Sequence, residues 1–294
     1  MLARQPIDNR AVDGLFPYSR WYSDLPALTV QYAAGRPFPH VHLTRFFDEE
    51  VLRRVIQEIG TIEEGPWVQW RHYNENKSGL TTRAAFPLFA GAVIDELNSD
   101  RFTSWLTELT GIRGLLADPT LEGGGLHRTG EKGFLNVHAD FTVHHHHANW
   151  RRRINVIVYL NPGWDPDWGG ALELWDRSMQ RAEVTVMPFA NHAVVFNTDG
   201  QSYHGVPDPL RCPPGVFRDS LALYYYTAET ALDGRRRSTD YRPRPADGWR
   251  KSAFIWADKK LVDLYSRVKG RLALSDDFAS RALGALNRLT QGKR

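Results

Sequence analysis

His138, Asp140 and His204 are the residues whose types and spacing could do chemistry together in this sequence. His138 and Asp140 are two apart, so on a strand they face the same side and can converge on one ion. Two imidazoles and one carboxylate, with coordination positions left open, suit a non-haem Fe(II) centre. A lone His-X-Asp arises often by chance, and four neighbours strengthen this one. Gly133-Phe134-Leu135 leads into it, and His204 follows inside S-Y-H-G-V. Gly169-Gly170 opens the stretch L-E-L-W between them, and Arg218 stands further on in R-D-S-L-A-L-Y. A guanidinium is a planar fork that matches a carboxylate in a bidentate pair. Arg218 could therefore hold the far carboxylate of a 2-oxo dicarboxylic acid whose other end chelates the metal. Ser220 shares its strand face and could add a hydroxyl.

Positioning such a set requires strands. From about Leu115 the apolar period shortens to about 2. Strands are expected at Leu135–Phe141, Ile154–Leu160, Ala171–Trp175, Ala182–Val186, Ala193–Asn197, Ser202–Val206 and Ser220–Thr227. Short strands at this spacing predict a mainly β protein with flanking helices and a jelly-roll, cupin-like core. Upstream, the helical period predicts a helix from about Val51 to Ile59 with Asp48 as N-cap and Gly60 as its stop. Further helices are expected over Ala90–Leu97 and Phe102–Leu109, the latter stopped by Gly111. Residues 1–40, rich in Pro and Gly, read as an irregular arm with one strand near Leu28–Tyr32. Pro39–Leu43 reads as a short strand carrying His40 and His42. Trp67–Thr82 is either a substrate-facing loop or a surface hairpin. Gly234–Lys251, with Arg235, Arg236 and Arg237, reads as a solvated basic connection. Phe254–Val268 and Asp276–Leu289, the latter capped by Ser275, read as C-terminal helices. The expected organisation is one domain over 1–294: an arm and supporting helices (1–114), a catalytic core (115–228), then the connection and terminal helices (229–294).

Composition narrows the classes. Hydrophobic residues make up 42% of the 294, enough for a sizeable core, and the formal charge is only +3. Neither that balance nor the short run Arg151–Arg153 suggests a nucleic-acid binder. A single cysteine, Cys212, excludes an internal disulfide framework and reads as a bystander in a loop. No signal-peptide h-region and no membrane-length apolar run is visible, so a cytoplasmic location is expected. His144–His147 reads as a solvated loop without catalytic role, and His127 and His192 as ordinary histidines at strand edges. Trp67, Trp70, Trp150, Trp164, Trp168 and Trp175 could line an entrance or fill the core.

Over about Leu115–Thr227 the chain resembles the Fe(II)- and 2-oxoglutarate-dependent oxygenases, specifically their prolyl-4-hydroxylase-like branch, whose motif is H-X-D…H with a late basic residue. The resemblance implies a double-stranded β-helix and iron ligands His138, Asp140 and His204. It implies Arg218 as the 2-oxoglutarate anchor, with Arg211 in the Pro207–Phe217 loop as the alternative. Tyr159 looks like the family's tyrosine that helps hold the co-substrate, and Asn155 and Ser220 are further candidates. It also implies O2 as oxidant, release of succinate and CO2, and hydroxylation of a small-molecule or peptidyl substrate. Halogenating relatives lose the acidic ligand, and Asp140 is present. A metal-binding cupin without oxygenase activity, a sensor or scaffold, is the alternative, and it would have no need of Arg218. A zinc hydrolase or isomerase would call for three histidines or an evident general base.

Overall fold

The computed structural model describes residues 14–62, 67–230, 238–258 and 260. Four helices precede the main strands: α1 (Tyr18–Ala34), α2 (Glu49–Ile59), α3 (Leu88–Leu97) and α4 (Asp100–Thr110). Thirteen strands follow the chain as β1 (His40–Thr44), β2 (Val68–His72), β3 (Glu75–Leu80), β4 (Leu115–Ala117), β5 (Gly125–Thr129), β6 (Phe134–Ala139) and β7 (Trp150–Tyr159). The rest are β8 (Leu172–Trp175), β9 (Ala182–Val186), β10 (His192–Asn197), β11 (His204–Val206), β12 (Arg218–Ala228) and β13 (Asp240–Tyr241).

The strands pair antiparallel in the order β1-β10-β7-β12-β5-β3-β6-β11-β8-β9, with β4, β13 and β2 attached to β12, β6 and β3. This nearly closed sheet is the expected jelly roll. Alternation decides what each face does. On β7 and β12, Ile154, Val156, Val158, Leu221, Leu223 and Tyr225 face outward into the large hydrophobic cluster shared with α1–α4. The residues between them, Asn155, Ile157, Ser220, Ala222 and Tyr224, face inward and line a cavity.

Three expectations need correction. In the described part of the arm, residues 18–34 form α1, and no strand occurs at Leu28–Tyr32. Tyr18, Trp21, Leu25, Leu28 and Tyr32 are buried at alternating spacings of three and four, a helical stripe. Pro26 lies on the exposed side of that helix; burying five large side chains offsets its cost of about 3 kcal/mol. Asp48 does stand at the N-cap of α2, but its side chain makes no capping bond and lies 3.8 Å from Arg20 instead. The supposed basic connection contains β13, which pairs with β6, and a helix that begins at residue 248. Ser99 caps α4 and Gly111 ends it at φ 71°. Arg235–Arg237, Asp276–Leu289 and the later part of Phe254–Val268 lie outside the described residues.

Candidate active site

The three residues that could hold a metal ion are assembled by register. His138 on β6 stands directly across from His204 on β11, and Asp140 follows just past the end of β6. One ligand atom from each lies within 4.8 Å of the others, and all three side chains are buried. Both imidazoles are oriented in the same way. His138 Nδ1 donates to the Asn136 carbonyl and His204 Nδ1 to the Ser202 carbonyl, each at 2.9 Å. A carbonyl only accepts, so each ring carries a proton on Nδ1 and turns Nε2, the nitrogen that bears the lone pair in a neutral imidazole, inward. The two Nε2 atoms lie 3.5 Å from Asp140, one from each carboxylate oxygen. Burial, with His138 and Arg152 nearby, brings His204 down to about 4, against the opposing pull of Asp140. Burial pushes the Asp140 carboxyl upward, but Arg152, His204 and His138 outweigh it and hold the group well below the usual range. At neutral pH His204 is a neutral donor and Asp140 is ionised.

Arg152 was not found from the sequence. It is 2% exposed, and its guanidinium lies 3.0 Å from Asp140 Oδ2. It also donates to Asn155 Oδ1 at 2.9 and 2.8 Å and sits 3.4 Å over the Tyr224 ring. Asn155, expected at the co-substrate, instead donates to Asp140 Oδ2 at 2.8 Å. Two donors thus occupy Oδ2 and turn Oδ1 toward His138. A β-bulge puts Arg152 there. Tyr225 pairs with Ile154 but Tyr226 with Arg152, so Arg153 is the extra residue. The bulge moves Arg152 to the face that strict alternation would deny it.

Along the same cavity, of about 210 Å³, lie Arg218 and Ser220. Arg218 is 7% exposed and donates through Nε to the Gly170 carbonyl at 2.7 Å. Gly170 has φ 81°, and a Cβ there would meet Leu210 at 2.8 Å and Arg218 Cδ at 3.1 Å. This explains the Gly169-Gly170 pair. No carboxylate among the described residues pairs with Arg218. Its neighbour Asp219 points to the other face and binds Arg128 through both oxygens. Burial accordingly lowers the Arg218 pKa. Tyr159 stands across from Ser220 in the sheet, with Arg218 5.1 Å from its ring. Its hydroxyl is buried without a well-formed hydrogen bond. Arg211 does not line the cavity; it is exposed and donates to the Asp167 carbonyl.

Other expected residues fall into place by burial. His127 is not at an edge: β5 lies between β12 and β3, and the ring lines the cavity. Burial and then Lys77 bring it down to about 3. His192 pairs with His42 at 3.0 Å, on a β1–β10 surface apart from the cavity. His145, His146 and His147 are exposed as expected, but His144 is fully buried beside Asp118, at 3.2 Å. Cys212 is also buried, packed with Trp164 and Leu210. Of the six tryptophans considered for an entrance, Trp70 lines the cavity. Trp67–Thr82 contains the β2–β3 hairpin, whose Trp70, Glu75 and Lys77 line the cavity.

A second buried network, also absent from the sequence reading, supports that hairpin. His72 contacts Asp258 through Nδ1 at 2.7 Å and Glu75 through Nε2 at 2.8 Å. Burial works against its charge, but the two carboxylates raise it to about 9. Lys77 lies 3.2 Å from the other Glu75 oxygen. Asp258 belongs to the helix that begins at residue 248, so that helix is tied to the cavity wall.

Residues 124–226 match the family model of the 2OG-Fe(II) oxygenase superfamily. A mouse protein, prolyl 3-hydroxylase OGFOD1, is 28% identical over 123 residues, 40% of this chain and 21% of its own length. The chain thus spans about a fifth of that relative. A Trichoplax adhaerens prolyl hydroxylase, solved with a hypoxia inducible factor oxygen degradation domain peptide fragment, superposes with TM-score 0.52 at 15% identity. That likeness covers 74% of this chain and 95% of the other. A Pseudomonas putida prolyl-4-hydroxylase gives TM-score 0.49 at 19% identity, over 69% of this chain and all of that one. The chain resembles the 2OG-Fe(II) oxygenases, in their prolyl-hydroxylase-like form.

Proposed function

We propose that this chain is an Fe(II)- and 2-oxoglutarate-dependent dioxygenase that hydroxylates an unactivated C–H bond of a prolyl or other amino-acid-like group. The observation that carries this reading is the pairing, in one cavity, of the His138–Asp140–His204 set with the buried, carboxylate-free Arg218 guanidinium. The donor set suits Fe(II): two imidazole nitrogens and one carboxylate oxygen, with the remaining positions open. The far end suits a dicarboxylate, because a buried cation without a counter-charge is costly until an anion arrives. A non-catalytic cupin would have no reason to keep that cost. Bound Fe(II) and 2-oxoglutarate would supply the oxidising chemistry, with O2 as oxidant and succinate and CO2 as co-products.

The protein's own contribution is orientation and exclusion of water. His138 and His204 present Nε2 because backbone carbonyls hold their Nδ1 protons. Arg152 and Asn155 fix Asp140 as a ligand through its other oxygen. Arg218 would clamp the distal carboxylate, with the hydroxyls of Ser220 and Tyr159 beside it. Ile157, Leu172, Val206 and Ala222 give the cavity apolar walls. A peptidyl substrate is favoured by the peptide complex of the Trichoplax protein and by the prolyl hydroxylase name of the mouse relative. We take the chain as one catalytic unit, since α1–α4 and the sheet share one hydrophobic cluster. A reducing cytoplasmic setting accords with a lone, buried cysteine. No described helix is long and apolar enough to cross a membrane.

The test is anaerobic titration of metal-free protein with Fe(II) and then 2-oxoglutarate. The expected result is a visible charge-transfer band that His204→Ala abolishes. Stoichiometric iron binding without such a band would refute the oxygenase reading.

A further inference from the structure

The region that matches the family model runs over residues 124–226, yet the support of one candidate ligand comes from outside it on both sides. His138 is oriented by the bond from its Nδ1 to the Asn136 carbonyl, at 2.9 Å. Asn136 is in turn held twice by Asn74, which sits in the turn of the β2–β3 hairpin. Its backbone N–H donates to the Asn74 carbonyl at 2.8 Å, and its Nδ2 donates to Asn74 Oδ1 at 3.1 Å. Asn74 Nδ2 then donates to Asp258 Oδ2 at 2.6 Å. A continuous run of hydrogen bonds thus leads from His138, through Asn136 and Asn74, to the helix that begins at residue 248.

Burial gives this run its force. Asn74 is 0% exposed, Asn136 2% and Asp258 9%, so no water stands ready to replace a lost partner. The last bond ends on a carboxylate, the stronger kind of acceptor, and the same oxygen also accepts from His72 Nδ1 at 2.7 Å. A packing contact runs beside the hydrogen bonds. Tyr241, on β13, sets its ring against both His72 and His138, with centroids 6.0 and 5.5 Å away. His204 needs no such reach. Its carbonyl partner belongs to Ser202, whose Oγ accepts from the Asp199 N–H three residues away, at 2.9 Å. One imidazole is thus fixed locally and the other across the fold.

We propose that Asp258 is a positioning residue for the metal centre, acting through Asn74 and Asn136 to set the orientation of His138. The helix that begins at residue 248 is then part of the active site. This inference rests on the reading of His138, Asp140 and His204 as metal ligands.

The experiment titrates the metal-free full chain with Co(II) under anaerobic conditions. It reads affinity and the ligand-field spectrum, with Tm measured beside them. Losing an outer partner of a ligating imidazole costs about 10–100-fold in metal affinity. Asp258 lies further out, so Asp258→Leu is expected at the low end, about tenfold weaker, with altered ligand-field bands. Asp258→Asn keeps an acceptor for Asn74 and should restore the wild-type bands, with affinity within about threefold. Asn74→Ala breaks the route at its middle and should match Asp258→Leu; it carries the test alone where Asp258→Leu does not fold. The double variant should bind no more weakly than either single one, because contacts in series do not add. His72→Gln leaves the Asn74–Asp258 bond in place, so it should lower Tm and keep the wild-type bands. Unchanged bands and affinity in Asp258→Leu and Asn74→Ala would overturn the assignment, as would additive losses in the double variant. So would losses that follow Tm across all variants, His72→Gln included, since Asp258 would then serve folding alone. Failure of the wild type to bind Co(II), or binding that His204→Ala leaves intact, is a different result, and it would overturn the metal reading itself.

Discussion

Replacing Arg218 by Met separates stability from ligand binding in a direction opposite to most buried substitutions. In the wild type the guanidinium is 7% exposed and its Nε bonds the Gly170 carbonyl. No carboxylate among the described residues forms an ion pair with it, and its neighbour Asp219 is bound by Arg128. Met occupies similar space, forfeits that hydrogen bond at about 1 kcal/mol and relieves a buried charge whose effective desolvation is several kcal/mol. The ligand-free protein should therefore be unchanged or more stable by about 1–3 kcal/mol. At about 2–4 °C per kcal/mol for a protein of this size, its Tm should hold or rise by several degrees. The cost should appear on binding. Loss of a bidentate, charge-assisted pair at about 3–5 kcal/mol would weaken 2-oxoglutarate by about 10²–10⁴-fold. Thermal denaturation with and without Mn(II) and 2-oxoglutarate, plus calorimetric titration, reads both quantities. A lower Tm without ligand combined with a Kd within about threefold of wild type would refute the reasoning, because Arg218 would then be a structural residue.

Other residues make further claims. Asn155→Leu removes one donor from Asp140 Oδ2 and the acceptor of two Arg152 bonds. It should weaken Co(II) or Mn(II) binding about tenfold or more, and an unchanged metal titration would show that Arg152 alone holds the ligand. Gly170→Ala places a Cβ 2.8 Å from Leu210 and 3.1 Å from Arg218 at φ 81°. It should cost more than about 1 kcal/mol and loosen 2-oxoglutarate, which melting and calorimetry together would detect. His72 is raised to about 9 in the fold from about 6.5 in the unfolded chain. Its contribution, up to about 3 kcal/mol, is therefore complete below pH about 6.5 and is lost as pH rises through about 9. The stability gap between wild type and His72→Gln should close across that window. A gap that stays constant with pH would mean that His72 is neutral.

The parts of the site legible in the sequence are those that obey strict alternation. His138 and Asp140 are two apart at a strand end, Arg218 and Ser220 share a face of β12, and Tyr159 opposes Ser220. The parts that escaped each break a local rule. α1 hides behind Pro17 and Pro26, and its buried stripe outweighs the punctuation those prolines suggest. β13 is two residues long, too short for any period, yet it brings Tyr241 opposite His138. Asp258 reaches His72 across 186 positions, a pairing that no window of sequence contains.

Arg152 shows why such residues are hidden for a physical reason. In an unbroken strand it would share a face with Ile154, toward the helices, where an unpaired guanidinium would be prohibitively costly. The run R-R-R-I-N-V reads as solvated charge leading into a core strand, and for Arg151 that holds. The bulge at Arg153 turns Arg152 to the inner face, and Asp140 is the partner that makes its burial tolerable. A second register shift lies between the pairs His204–His138 and Val206–Leu135. It lets Leu135 and His138, three apart on β6, both line the cavity. Two of the sheet's three register shifts, on β6 and on β7, thus aim side chains at the candidate metal-ligating set, while the third lies between β8 and β9. Local irregularity of this kind costs ladder hydrogen bonds, and the site is where that cost is returned as geometry.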